Sequence, residues 1–217
     1  MIRENFENRM NELHNKMNEM AMLTIEAMEN AFHALQAQNV EIALRIIEED
    51  AEIDTLENEI NELAVWMIAK EQPVARDLRR IISILKMASD IERIADFAVN
   101  TAKSSIKIGQ NELFLHETSI LAMKDQMIEM LTMSLEAFQH ENLQLAKEIG
   151  ELDDRVDQQN YENFARLKQL LKEQPHHADT LVELVLINRF VERAADHITN
   201  MAESTAYFIK GQLFDLN

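Results

Sequence analysis

No cysteine occurs in the chain, which removes disulfides, thiolate metal sites and cysteine nucleophiles from consideration and fits a reducing compartment. Glycine appears three times and proline twice in 217 residues, so breaks are few and connections short. Aromatic residues make up 6%. Strands have little support, because the three commonest residues, Glu, Leu and Ala, are those of long helices. No run of 18 apolar residues exists, and Met1-Ile2-Arg3-Glu4-Asn5-Phe6-Glu7 carries acids where a signal peptide carries an apolar stretch. Neither membrane insertion nor export by that route is expected. Bases are scarce too, 21 against 39 acids for a formal charge of −18, and that field opposes phosphate backbones and anionic lipid. Nucleic acid is therefore not an expected partner, and the expected location is cytoplasmic.

What is present is enough apolar material, 47% of residues, to fill a substantial core, together with a repeat. Gln72-Pro73 recurs as Gln174-Pro175, and Gly109 recurs as Gly211, each 102 residues later, which indicates duplication. The alignment extends to Ala34-Leu35-Gln36 with Ala137-Phe138-Gln139, Asn39 with Asn142, and Glu92-Arg93 through Asp96 with Glu192-Arg193 through Asp196. In each copy the Asn can cap a helix, the Pro blocks continuation, and the Gly can end a helix in the left-handed conformation. Three helices per copy follow, over roughly 3–38, 40–71, 75–108, 112–141, 143–172 and 178–210. Helices of about 30 residues on such short turns fold back on their neighbours. The fold class is thus all-α, two tandem antiparallel three-helix bundles, with units 1–110 and 111–217.

The apolar spacing agrees. The first helix shows a 4-3 stripe at Phe6, Met10, Leu13, Met17, Met20, Thr24, Ala27 and Ala31, a core seam, and the 13 methionines read as packing. The third helix carries Leu78, Ile81, Leu85, Ala88, Glu92, Ala95, Val99, Ala102 and Ile106, with Glu92 the single charge. The sixth repeats the pattern with Leu181, Val185, Asn188, Glu192, Ala195, Thr199, Ala202, Ala206 and Ile209. A charge at a core position costs several kcal/mol unless something neutralises it. Asp96 and Asp196 follow four residues on, about 6 Å along the same face, and add like charge.

The second helix of each copy supplies another pair at that spacing, Asp50 with Asp54 and Asp153 with Asp157, flanking the seams of Ile46, Ile53, Leu56, Ile60 and of Ile149, Leu152, Val156. In a hairpin folded about residue 73, position i faces 146 − i, which sets Asp50 against Asp96 and Asp54 against Glu92. Folding about 174.5 sets Asp153 against Asp196 and Asp157 against Glu192. Oxygen-only clusters of this kind suit Mg²⁺, Mn²⁺, Ca²⁺ or iron, so two metal sites are expected. The competing expectation is that Arg93 and Arg193 swing back to pair with the acids, or that water enters the seam. Other chemistry is thin. There is no Gly-rich phosphate loop, no GxSxG and no HExxH, and the one Glu-x-x-His spacing, Glu173 to His176, straddles Pro175. That argues against a helix-bundle oxidase. Of the seven histidines, His197 alone adjoins a candidate ligand.

The segments Gln72-Pro73-Val74-Ala75-Arg76-Asp77-Leu78-Arg79, Asp90-Ile91-Glu92-Arg93-Ile94-Ala95-Asp96 with Asn100, and Val191-Glu192-Arg193-Ala194-Ala195-Asp196-His197 with Asn200 resemble the PhoU family over essentially the whole chain. The resemblance implies a non-enzymatic, cytoplasmic accessory protein of bacterial phosphate signalling. Such a protein restrains the phosphate regulon and works with the ATPase subunit of the phosphate ABC transporter and a phosphate-sensing histidine kinase, as a homodimer. It also implies divalent or trivalent metal ions, iron, zinc, magnesium or manganese, at E(D)xxxD motifs that fall here on Glu92 to Asp96, Glu192 to Asp196, Asp50 to Asp54 and Asp153 to Asp157. The copies differ, since Asn188-Arg189-Phe190 replaces Ala88-Ser89-Asp90 and His176-His177-Ala178 lacks the basic pattern around Arg76, Arg79 and Arg80. The two sites need not hold the same metal load, and the arginines of the first copy are candidates for a partner surface. Two alternatives stay open at this point, a carboxylate-bridged metalloenzyme and a metal-storage helical protein.

Overall fold

The computed structural model describes residues 2–109 and 114–212. Its six helices are α1 (Ile2–Ala37), α2 (Val40–Glu71), α3 (Ala75–Ile108), α4 (Ile120–Gln139), α5 (Leu143–Glu173) and α6 (Ala178–Lys210). There is no strand among the described residues. The caps lie where the sequence places them. Asn39 Oδ1 accepts from the backbone N–H of Glu41 and Ile42 at 3.0 and 3.3 Å, and Asn142 Oδ1 accepts from Gln144 and Leu145 at 3.0 and 3.1 Å, satisfying orphan donors of the first turn. Gln72, held at φ +50° before Pro73, closes α2. Gly211, at φ +72°, closes α6 and donates its N–H to Tyr207 O at 2.8 Å, the left-handed end that glycine favours.

One boundary differs from the sequence reading. The fourth helix begins at Ile120, not near 112; residues 110–113, with the expected unit boundary at 110/111, lie outside the described residues. Phe114 has φ +51° and Thr118 is extended at φ −135°, ψ 166°, neither of which propagates a right-handed helix. Ser119 gives both its N–H and its hydroxyl to Asn163 Oδ1, at 2.8 and 3.0 Å, so a buried amide of α5 sets where α4 starts.

Helices α1, α2 and α3 pack together as one antiparallel bundle and α4, α5 and α6 as the other. In α1, Met10, Leu13, Met17, Met20, Thr24 and Ala31 are buried as the 4-3 spacing requires. Ten methionines are buried among the described residues, which places them as core packing, each contributing on the order of 1.5–3 kcal/mol by leaving water. Beyond the two separate bundles expected from the sequence, α3 also lies along α6. Besides Ile81, Ala88, Ala95 and Ala102, α3 buries a second row, Ile84, Ile91, Ala98 and Ser105. The buried apolar side chains therefore join into one continuous cluster. Ser83 donates to Ser204 O at 2.9 Å and Ser104 to Glu183 at 2.7 Å, so α3 and α6 run antiparallel. Phe97 stacks on Phe190 with centroids 6.0 Å apart. At the positions 100 residues on in one case and back in the other, His197 Nδ1 meets Asp90 Oδ1 at 2.9 Å. One crossing is thus made twice, once between rings and once between polar groups.

Candidate metal centre

The site follows from the two hairpins. Straight helices joined by a short turn keep their register, so acids equidistant from the turn share a level. In the second bundle one carboxylate oxygen each of Asp157, Glu192 and Asp196 lies within 4.8 Å of the others. Asp153 adjoins them, since the charges of Asp157 and Asp196 both act on it. Burial is uneven: Asp153 is 6% exposed and Glu192 7%, Asp196 is half-buried and Asp157 exposed. Asp153 sits on the α5 seam between Ile149 and Val156, both buried, while Leu152 is only half-buried. It thus occupies the core position that the sequence reading gave to its neighbour.

Burial drives the electrostatics here. It raises the Asp153 carboxyl to a pKa of about 7, with the Asp157 and Asp196 charges adding to it and the Thr199 hydroxyl opposing. Glu192 is raised by burial and then by Asp196, against Arg189. Asp196 is raised by burial and then by Asp157, again against Arg189. Desolvation and like charge both favour the neutral acid. Two oxygens here, Asp153 Oδ1 and Glu192 Oε2, are buried without a hydrogen-bond partner, and such atoms are costly to leave uncompensated.

The first bundle brings its four acids to the same level. Asp50 is half-buried and raised by burial, then by Asp54 and Asp96, with Lys103 opposing. Glu92 is raised by burial and then Asp96, with Arg93 opposing and Glu57 and Asp54 adding. Asp54 is exposed and Asp96 half-exposed. No three of the four close into a cluster as tight as that of the second bundle. Arg93 explains the difference, because it reaches Glu92 Oε2 at 3.4 Å and Asp96 Oδ2 at 3.0 Å. Arg193 instead lies over the Phe97 ring, 5.2 Å from its centroid, and Arg189 takes Glu192 Oε1. The expected swing of both Arg93 and Arg193 onto the acids is therefore realised by Arg93, with Arg189 in place of Arg193.

Other sequence candidates are placed elsewhere. Asn188, the second polar intrusion in the α6 seam, does not face the acids. It accepts from Asn163 Nδ2 at 2.9 Å and donates to Asn160 Oδ1 at 2.6 Å, in a buried amide network that the reading missed. Asn163 falls seven residues after Val156 and four before Leu167, a seam spacing that could have revealed it. His197 turns to Asp90. Glu173 is bonded to Arg166 and Gln169 at the end of α5, with His176 in the turn beyond. The arginines of the first copy lie at the join of the two bundles: Arg76, itself exposed, pairs with Glu141, Arg79 Nε donates to Phe208 O at 3.5 Å, and Arg80 lies 5.9 Å from the Phe208 centroid.

All candidate ligands are oxygens, held on rigid helices, with no thiolate or imidazole among them. That donor set fits hard or borderline cations, and the two orphaned oxygens supply a reason for a cation to be there.

The described helices form two back-to-back three-helix bundles, each with a group of acids at mid-depth, and so define an all-α, two-bundle class of protein. The PhoU domain family model matches residues 17–105 and again 120–205, one match per bundle. The chain is 32% identical over 218 residues to the phosphate-specific transport system accessory protein PhoU homolog of Clostridium acetobutylicum, covering 100% of both chains. It is 35% identical over 194 residues to the homolog of Aquifex aeolicus, covering 89% of this chain and 88% of that protein. The crystal structure of the phosphate transport system regulatory protein PhoU from Streptococcus pneumoniae superposes with a TM-score of 0.90 at 28% identity, covering 97% and 99% of the two chains. The chain belongs to the PhoU family.

Proposed function

We propose that this chain is a negative regulator of phosphate uptake and of the phosphate regulon, acting in the cytoplasm with the ATPase subunit of a phosphate ABC transporter and a phosphate-sensing histidine kinase. The reading rests on end-to-end likeness to relatives that bear the names of phosphate transport accessory and regulatory proteins. In this reading the protein is a homodimer of two-unit chains, 1–110 and 111–217, and is not an enzyme. Its helical faces dock on partners, and divalent or trivalent cations held by Asp50, Asp54, Glu92 and Asp96, and by Asp153, Asp157, Glu192 and Asp196, stabilise the bundles. A carboxylate-bridged oxidase would want Glu-x-x-His on facing helices, and the 173–176 spacing does not provide it. A metal-storage role would use the same acids but leave phosphate control untouched.

The discriminating experiment is deletion of the gene in the source bacterium, followed by growth in high phosphate. Derepressed alkaline phosphatase, restored to repression by the wild-type gene, is the expected outcome. Full repression in the deletion strain would overturn the regulatory reading.

A further inference from the structure

Two copies of one site, folded in one chain, show which local substitutions change it. In the second bundle Glu192 and Asp153 are more than nine-tenths buried, and each keeps one oxygen without a partner beside Asp157 and Asp196. Arg189 occupies only Glu192 Oε1, and Arg193 is drawn off to the Phe97 ring. In the first bundle position 89 is Ser, so no counterpart of Arg189 exists, and position 97 is Phe where the other copy has His197. Arg93, with no such capture by a ring, bridges Glu92 and Asp96. Lys103 adds positive charge near Asp50, where the second copy has Glu203.

We infer that the two sites are unequal: the α5/α6 site takes a divalent cation first and more tightly, while Arg93 is the resident counter-ion of the α2/α3 site, which fills only by displacing it. This rests on the proposed cation-binding reading and deepens it by assigning an order of loading. The physical reason is competition. A cation entering between Asp54, Glu92 and Asp96 must break the two ion pairs that Arg93 makes, whereas one entering beside Glu192 meets an oxygen that is already bare.

The test is titration of the chelator-treated full-length protein with Mn²⁺, followed by calorimetry and by the electron paramagnetic resonance signal of free Mn²⁺. Two classes of uptake are expected. Glu192→Gln should remove the tight class and spare the weak one; if that variant does not fold, Asp157→Asn, at an exposed position, gives the same reading. Arg93→Gln should tighten the weak class by roughly fivefold, the upper worth of a partly exposed ion pair, and leave the tight class unchanged. A single class of equal sites, or a weak class indifferent to Arg93→Gln, would overturn the inference while leaving the cation sites themselves in place. No uptake of Mn²⁺, Mg²⁺, Fe²⁺ or Zn²⁺ by the wild type would end the underlying reading as well.

Discussion

Asp153→Asn isolates the electrostatic claim. In the metal-free protein the Asp153 carboxyl is raised from 3.8 to about 7 by burial and by the neighbouring acids. A folded state that holds its proton more tightly than the unfolded state is most stable at low pH and loses stability as pH rises between those two values. Over the whole window the loss is on the order of 4 kcal/mol, at about 1.4 kcal/mol per pH unit. Between pH 5 and pH 8 the portion lost is roughly 3 kcal/mol. Asparagine keeps the shape and never ionises, so the stability of Asp153→Asn relative to wild type should improve by that roughly 3 kcal/mol from pH 5 to pH 8. Taking the difference between variants cancels, to first order, the titration of distant groups. Urea unfolding of chelator-treated protein at the two pH values is the assay, and about 6 °C in differential melting temperature is the matching thermal signal for a chain of this length. A variant equally offset from wild type at both pH values would refute the argument, because it would mean Asp153 is solvated or already compensated. With a divalent cation at saturation the sign should reverse, wild type being the more stable at pH 8.

Other consequences are more local. Asn163→Ala strands the Ser119 donors and the Asn188 amide and should lower unfolding free energy by roughly 2–4 kcal/mol, read by urea denaturation. Asn39→Ala and Asn142→Ala each remove a cap and should cost about 1 kcal/mol apiece, additively, since they serve different helices; calorimetric melting of the two singles and the double checks this. Gly211→Ala puts a side chain at φ +72° and its Cβ 3.3 Å from Arg79 Cζ, so about 1–2 kcal/mol of destabilisation is expected at the junction of α6 with α3, measured by the same unfolding curve.

The helices were legible because their punctuation is local. Asn39, Pro73, Asn142 and Gly211 each act within a turn of their own position, and the caps and ends fall where those residues stand. The cross-helix neighbours were legible for a related reason, since a rigid hairpin preserves register over the 20 or so residues from turn to acid. What could not be read depended on partners distant in the chain. Periodicity shows that α3 has a buried stripe but not that burial continues round the helix to Ser83, Phe97 and Ser104, which meet α6. The start of α4 is set by Asn163, more than 40 residues away. Whether Arg93 or Arg193 meets the acids depends on Phe97 lying within reach of Arg193 across the join, which no single-copy motif reveals. The seam position of Asp153 is masked in the sequence for a simpler reason: the apolar Leu152 stands beside it, yet Leu152 is half-buried and Asp153 buried.

Elemental analysis of the protein purified without chelator, paired with melting before and after chelation, bears most directly on the acids of the two bundles. The account predicts an oxygen-preferring divalent or trivalent metal in the wild type, a lower melting temperature once it is stripped, and neither in a Glu92→Gln, Glu192→Gln double variant. Metal-free wild-type protein whose melting is indifferent to added Mg²⁺, Mn²⁺, Fe²⁺ and Zn²⁺ would contradict it.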